Sequence, residues 1–436
     1  MLIAEKLNQQ QLDEYEENMM NEPNQFASAE TSWPSSINKL AYQGLPGEIV
    51  NTIEPHTESD PVAILIQSLI VFGNVIGRSA HFRVEADRHY TNENCVIVGE
   101  TAKGRKGTSE GIVNALFTLN VPYVQEWMSD KIKSGLSSGE GITYHVRDAA
   151  ENDDGIIDKR LFVREPEFGS VLRVIERHGN TLSPVIRQAW DTGNLSILTK
   201  NNPIKASDAH ISISGHITAP ELRHYLYDVE IFNGLANRFI WLCVKRSKML
   251  PEGGRFHELN VIPIKEKISA AIEFARTVNE VKRDSAAREI WIKAYPALSN
   301  GTAGMAGAVL SRAEAHVMRL ALIYALMDQS NIIKCEHLTA ALALWDYIEA
   351  SVSYIFSDRT GDSIADRIFD SVCEYPEGLT RTEVFQLFNK HEKRERISDA
   401  INLLVRCNKV IVEKAETAGR WTEVIKRRSA QAQKAQ

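Results

Sequence analysis

The sequence predicts an α/β fold, and three observations support it. Short apolar runs with the character of buried strands alternate with helical and polar stretches through the first 260 residues. From Ile264 to Phe356 the strand pattern vanishes and apolar residues recur at helical spacing. Beyond Thr360 the pattern changes again, setting off a C-terminal module.

With 436 residues, 43% of them hydrophobic, the chain can bury a large core divided into two to three domains. Residues 1–30 carry seven acids against Lys6 alone and read as a disordered acidic tail. The Gly44-Leu-Pro-Gly47 segment predicts short turns. An apolar helix follows from Asp60, whose carboxylate can cap it ahead of Pro61 at the first helical position. Strands are expected at His81 to Ala86, Cys95 to Val98, Leu161 to Val163, His210 to Ser214 and Phe239 to Val244. The Cys95-Val-Ile-Val98 run is short and continuously apolar, as in a strand buried on both faces. Within the helical stretch, Ala315, Met318, Leu322, Ala325 and Leu326 mark one face of a helix over Ser311 to Asp328. The C-terminal module reads as helices Ile364 to Cys373, Arg381 to Phe388 (capped by Thr380) and Arg394 to Cys407, then strands Val410 to Val412 and Arg420 to Val424 around Gly419. Three helices followed by a hairpin is the winged-helix order. The expected organisation is an acidic tail (1–30), an α/β core (31–260), a helical lid (261–358), a winged helix (359–425) and a basic tail (426–436).

Composition narrows the function. The longest apolar stretch, Pro61 to Gly73, is interrupted by Gln67 and Ser68 and falls short of the roughly 20 residues of a membrane span. No basic region precedes an apolar run at the start of the sequence, so the expectation is a soluble cytoplasmic protein with no membrane partner. Cys95, Cys243, Cys335, Cys373 and Cys407 are odd in number and lack a Cys-x-x-Cys pair, which argues against a disulfide framework or a zinc site and predicts buried thiols. A net charge of −7 excludes a globally basic nucleic-acid coat, yet residues 376–436 carry thirteen Lys or Arg against eight acids.

The strongest local motif runs from Gly99 to Ser109, between a buried strand and a helical stretch. Backbone N–H groups of a Gly-rich turn at a helix N-terminus cradle phosphates, a Lys reaches the terminal phosphates and a hydroxyl ligates Mg²⁺. Gly99, Gly104, Arg105, Lys106, Gly107, Thr108 and Ser109 are thus candidate ATP ligands, with Thr108 a candidate Mg²⁺ ligand. Arg105 sits between Gly104 and Lys106, and Gly107 separates Lys106 from Thr108, so the run departs from G-x-x-x-x-G-K-[ST]. An ordinary Gly/Lys surface turn is the alternative. Downstream, Leu161-Phe-Val163 runs into Glu165-Pro-Glu167. Residues two apart on an extended segment share a face, so Glu165 and Glu167 are expected at one site, one holding Mg²⁺ and the other orienting the attacking water. Lys393, Arg394 and Arg396 cluster where the third helix of a helix-turn-helix enters the DNA groove.

Longer strings carry a resemblance. Gly179 to Asp191, Leu198 to Asn201, Ala209 to Thr218 and Asn233 to Phe239, with the Pro55 to Pro61 segment, resemble an uncharacterised family of bacterial P-loop ATPases found in phage or mobile-element settings beside primases. More remotely, the order of features resembles AAA+ helicases of the minichromosome-maintenance kind, while a RecA-like arrangement stays open. The resemblance implies a homo-oligomeric ring, a hexamer or another closed form, with single-stranded DNA in a central pore. In it Asn194 to Ala206 is a pore hairpin presenting Lys200 and Lys205, and His216 occupies the sensor position at the end of its strand. Arg238 is the arginine that reaches a neighbouring subunit's nucleotide, projecting from the sheet edge, and Arg312 is the lid-helix arginine at the nucleotide. Glu165 stands where Asp is usual, and His216 where Asn is commoner. The implied function is an ATP-driven, Mg²⁺-dependent DNA translocase or helicase, with a primase as a partner. The alternatives are an ATP-binding replication initiator or regulator without motor activity, and an NTPase of phage defence.

Overall fold

The computed structural model describes residues 33–99, 106–151, 153–198, 203–225, 234–301, 304–356, 360, 362–388, 392–407, 409–417 and 420–428. The acidic tail, most of the basic tail and the turn at Gly419 lie outside the described residues. Helix α1 (Gly44–Ile53) begins where the sequence suggested turns. Gly44 adopts φ 61°, and a Cβ there would strike the Asp328 carboxylate, whose Oδ1 accepts the Leu45 N–H at 2.9 Å. Pro46 is tolerated because first-turn N–H groups lack intrahelical partners in any case. Helix α2 (Pro61–Val75) starts as expected, with the Asp60 carboxylate accepting the Val62 N–H at 3.0 Å.

A small antiparallel pair, β1 (Phe82–Val84) and β2 (Asp87–His89), leads into β3 (Cys95–Gly99) and helix α3 (Lys106–Phe117). Then follow β4 (Ile132–Lys133), β5 (Arg160–Glu165), α4 (Phe168–Ile175) and α5 (Leu182–Asp191). The antiparallel pair β6 (Leu195–Ile197) and β7 (Ile204–Ala206) precedes β8 (His210–Thr218), and β9 (Ile240–Val244) closes the set. Strands β4, β5, β8, β3 and β9 lie side by side in that order in one sheet, every pair parallel. The molecule is thus mixed α/β around a five-stranded parallel sheet, compatible with a P-loop or Rossmann-like core.

Helices cover both faces of the sheet, as a parallel sheet requires. On β8, His216 turns toward α2, where its Nε2 lies 3.2 Å from Gln67 Nε2. The preceding Gly215 turns the other way, toward Phe168 of α4. Side-chain alternation along a strand makes these opposite faces. Asn74 near the end of α2 joins two strands, donating to the Leu161 and His210 carbonyls while its Oδ1 accepts the Trp127 indole N–H at 2.8 Å.

Helices α6 (Ile262–Thr277), α7 (Ser285–Ser299), α8 (Ala313–Met327) and α9 (Cys335–Phe356) follow, with one short parallel pair, β10 (Lys282–Arg283) and β11 (Ile332–Ile333). A single hydrophobic cluster runs from Ala41 to Phe356. The expected boundary at 260/261 is therefore not a break in the core, because α8 and α9 complete the same packing that covers the sheet. A second, separate cluster holds α10 (Ser363–Glu374), β12 (Leu379–Thr380), α11 (Arg381–Leu387), α12 (Arg394–Arg406), β13 (Val410–Thr417) and β14 (Arg420–Arg427). Thr380 forms a reciprocal capping box with Glu383 at the start of α11. Cys95, Cys243 and Cys335 are buried and Cys407 is half-buried, but Cys373 is exposed, against expectation, because the neighbouring Val372 takes the side of α10 that packs into the second cluster. No helix among the described residues is long and apolar enough to cross a membrane.

Gly215 offers a direct test of sheet packing. A Cβ there would sit 2.5 Å from Phe168 Cδ2, whereas a Cβ on Gly107 meets nothing within 4 Å. Gly215→Ala is expected to lower stability by roughly 1–3 kcal/mol, the usual range for overpacking. Gly107→Ala should leave it unchanged or slightly raised, with urea unfolding midpoints at constant slope as the measurement.

Candidate functional site

At the C-terminal edge of the sheet, Gly99 ends β3 opposite Thr218 of β8 and Val244 of β9. Residues 100–105, including Gly104 and Arg105, lie outside the described residues, and of Lys106 only the backbone is described, as the first residue of α3. Gly107 and Thr108 are exposed in the first turn, and Ser109 is buried. The connection thus runs from a central parallel strand to the N-terminus of a twelve-residue helix, the geometry that presents unpaired N–H groups to an anion.

A polar cluster fixes α3 to the sheet. Glu110 lies 3.3 Å from the Arg164 guanidinium on β5 and 3.9 Å from His216 Nδ1 on β8. Arg164 also donates to Asn114, one turn further along α3. Burial pushes the Glu110 carboxyl up, with Arg164 pulling it back down. Burial likewise lowers the Arg164 guanidinium, opposed by Glu110. A cavity of about 10 Å³, near the size of one water, lies among Gln67, Glu110, Arg164 and Ser214. His216 is 6% exposed and held in this cluster, so the expected sensor position is a polar link between β8, α2 and helix α3.

Glu165 and Glu167 do not share a face. Strand β5 stops at Glu165 and Pro166-Glu167 form a turn, so the alternation rule does not extend across them. Glu165 is 7% exposed, and its Oε1 accepts the N–H groups of Gly135 and Leu136, both at 2.7 Å. It braces the loop after β4. Glu167 is exposed at the N-cap position of α4, with no side-chain capping bond. For Mg²⁺, the exposed Thr108 hydroxyl and the second carboxylate oxygen of Glu165 are donors of the right class, since this ion takes a few protein oxygens and completes its shell with phosphates and water. Both residues offer oxygens of a class that the ion accepts.

Arg238 and Arg312 lie at the other edge. The expectation that Arg238 projects from the sheet is corrected, because the side chain is buried against its own subunit. Its Nη2 lies 2.6 Å from Asp191 Oδ2, and its Nη1 donates to Gly234 O and Asn237 Oδ1. Arg312 Nη1 lies 3.3 Å from Asp191 Oδ1. Arg312 therefore belongs with Arg238 and Asp191, away from the Gly99 edge where the sequence placed it. Behind them, Glu93 is fully buried and accepts from the Trp190 indole at 3.1 Å, with His316 Nδ1 at 2.8 Å. His316 Nε2 lies 3.0 Å from Asn237 O. Arg319 stacks 3.7 Å over Trp190 and sits 3.8 Å from Glu93. Burial pulls this guanidinium down to about 10, with Glu93 opposing. Neither Arg312 nor Arg319 pairs with Glu314, which accepts from Ser299 at 2.6 Å. Sequence reasoning missed Glu93 and Asp191. The signal for Glu93 was the polar run Thr91 to Asn94 directly before a buried strand, all four residues at 2% exposure or less.

Of the proposed DNA contacts, Lys200 lies outside the described residues, while Lys205 is exposed on β7 of the expected hairpin. Lys393 and Arg394 are exposed at the start of α12. Arg396 is exposed too, but its guanidinium is held 2.6 Å from Asp362. A search against protein-family models finds no match, and no curated protein is similar to the chain.

The brace role of Glu165 is testable by stability. Glu165→Ala leaves two part-buried N–H groups without an acceptor and is expected to cost roughly 1–3 kcal/mol, whereas Glu165→Gln keeps an acceptor oxygen and should cost less than about 1 kcal/mol. Equal losses by chemical denaturation would refute the brace.

Proposed function

We propose that the chain is an ATPase of the P-loop class, related to the primase-associated ATPases of mobile elements, which assembles as a ring and moves along or unwinds DNA. One observation carries this reading. The phosphate-loop segment leaves the C-terminal end of β3, while Arg238 and Arg312 sit beyond the N-terminal ends of β9 and β3. Five strand residues at ~3.3 Å each separate the two edges by roughly 15 Å, so neither arginine serves the loop of its own subunit. A neighbour's nucleotide is the site they can serve, and an arginine supplied in trans contributes 10³-fold or more to phosphoryl transfer.

In this mechanism the N–H groups at the start of α3, with Lys106, take the β- and γ-phosphates. Thr108 and Glu165 would hold Mg²⁺, which would supply charge neutralisation at those phosphates. Glu167, exposed and ahead of α4, orients the attacking water. His216 and Glu110 tie the position of α3 to β8 and β5, so a shift of the nucleotide reaches the sheet. Helices α6 to α9 form the lid. The C-terminal module has helix–strand–helix–helix–strand–strand order, which we read as a winged helix whose Lys393 and Arg394 meet phosphates. The exposed Lys205 on the β6–β7 hairpin would face the pore. The burial of Arg238 against Asp191 favours one second reading, a nucleotide-dependent initiator in which Arg238 is structural and the ring does not turn over rapidly.

The test is ATP hydrolysis by the full chain with and without single-stranded DNA, with particle mass recorded in the same buffer. The motor reading expects a multi-subunit mass, stimulation by DNA, and loss of at least roughly a hundredfold in turnover in Lys106→Ala with an unchanged thermal transition. Turnover unchanged in Lys106→Ala would refute the phosphate-loop assignment. Hydrolysis indifferent to DNA in an assembled particle would favour the initiator.

A further inference from the structure

Asp191 is the last residue of α5, and its two oxygens are divided between two cations. Oδ2 takes Arg238 at 2.6 Å and Oδ1 faces Arg312 at 3.3 Å. The backbones of the two arginines are secured independently of it: Asn94 donates to the Arg238 carbonyl at 3.0 Å, and Asn237 donates to the Ser311 hydroxyl at 2.7 Å, joining the segments that carry the arginines. Asp191 is therefore the group that the two guanidiniums share, with Gly234 O and Asn237 Oδ1 also holding the Arg238 side. Two guanidiniums share the Asp191 carboxylate, Glu314 attracts Arg312 at longer range, and the buried Glu93 is committed to His316, Arg319 and Trp190. Asp191 Oδ1 and Arg238 Nε are buried without a hydrogen bond among the described residues, and Arg312 keeps 36% of its side chain exposed. The part of the cluster that can meet an anion is the partly exposed Arg312 guanidinium, with the buried Arg238 beside it.

We propose that Asp191 is the positioning residue that holds Arg238 and Arg312 as one two-guanidinium unit, directed at the terminal phosphate of a nucleotide bound by a second copy of the chain. The inference rests on the ring reading above and adds to it the carboxylate on which trans catalysis depends. Asp191 touches neither nucleotide nor water. It fixes two donors in the orientation that a planar phosphate face requires, and small misplacements of such donors are costly in rate.

The experiment compares Asp191→Asn, Asp191→Glu, Arg238→Ala and the double variant Asp191→Asn with Arg238→Ala, all as full chains. It reads kcat and KM for ATP, particle mass and thermal midpoint. The expected result for Asp191→Asn is a kcat lower by roughly tenfold to a hundredfold with KM within about twofold of the parent, since misaligned donors affect the transition state and not the neighbour's hold on ATP. Asp191→Glu should recover part of the loss. The double variant should lose less than the product of the two single losses, because part of the carboxylate's effect passes through Arg238 and the rest through Arg312. A kcat within about twofold of the parent in Asp191→Asn overturns the inference. So does a double variant whose losses multiply, the mark of a separate structural contribution. Should Asp191→Asn unfold, Asp191→Glu decides, parent-like kcat supporting the inference and loss of kcat in proportion to thermal midpoint overturning it. An Arg238→Ala variant as active as the parent overturns the ring reading and the inference together, whereas dependence on Arg238 with a silent Asp191→Asn overturns the inference alone.

Discussion

Strands β3 and β9 are buried along their whole length and β8 is buried as far as Ile217, so polar groups within this sheet must either close networks among themselves or gather at the strand ends. That constraint arranges the rest of the molecule. At the C-terminal edge the polar side chains of Gln67, Glu110, Arg164 and His216 close a network that holds α3 against β5 and β8. At the N-terminal edge Glu93 does the equivalent for α5 and α8, gathering Trp190, His316 and Arg319. Among the described residues the two networks share no side chain, and the sheet between them is mostly apolar, with the buried Ser212 hydroxyl on β8 left without a hydrogen bond.

The N-terminal network is expensive to break. Arg319 is 1% exposed and its guanidinium relies on Glu93, on the Asn92 and Trp190 carbonyls and on the Trp190 ring. Leaving a buried charge of this kind without its partner costs on the order of 3–5 kcal/mol, a large share of the stability of any domain. Such a network therefore acts as a rigid floor. Asp191 stands at its margin, next to Trp190, and joins the buried Arg238 and the partly exposed Arg312 to it. A catalytic group gains from being set on a framework that cannot relax, because the donors then need no reorganisation when charge develops.

Much of the fold was legible in the sequence, since it rests on local chemistry. The Cys95 to Val98 run became β3, Asp60 caps α2, Thr380 caps α11, and the helices after Ile264 follow their apolar spacing. Three of the misreadings share a cause, partners far away in the chain. Gly44 to Gly47 looked like turns because the Asp328 carboxylate that receives the Leu45 N–H lies 283 residues on. Glu165 and Glu167 looked like one face because nothing nearby announces that Gly135 and Leu136 claim Glu165. Arg238 looked free at a strand start, yet Asp191, 47 residues earlier, holds it. The placement of the phosphate-loop segment and of the arginines on opposite edges depends on strand order, which periodicity does not encode.

The central claim is that one subunit's arginines complete the nucleotide site of another. Mixing Lys106→Ala and Arg238→Ala subunits, each inactive alone, tests it most directly, under conditions where exchange between particles is verified by mass. The account predicts partial recovery of ATP turnover across mixing ratios, because some interfaces then join an intact phosphate loop to an intact arginine. A flat baseline at every ratio, with exchange demonstrated, would contradict it.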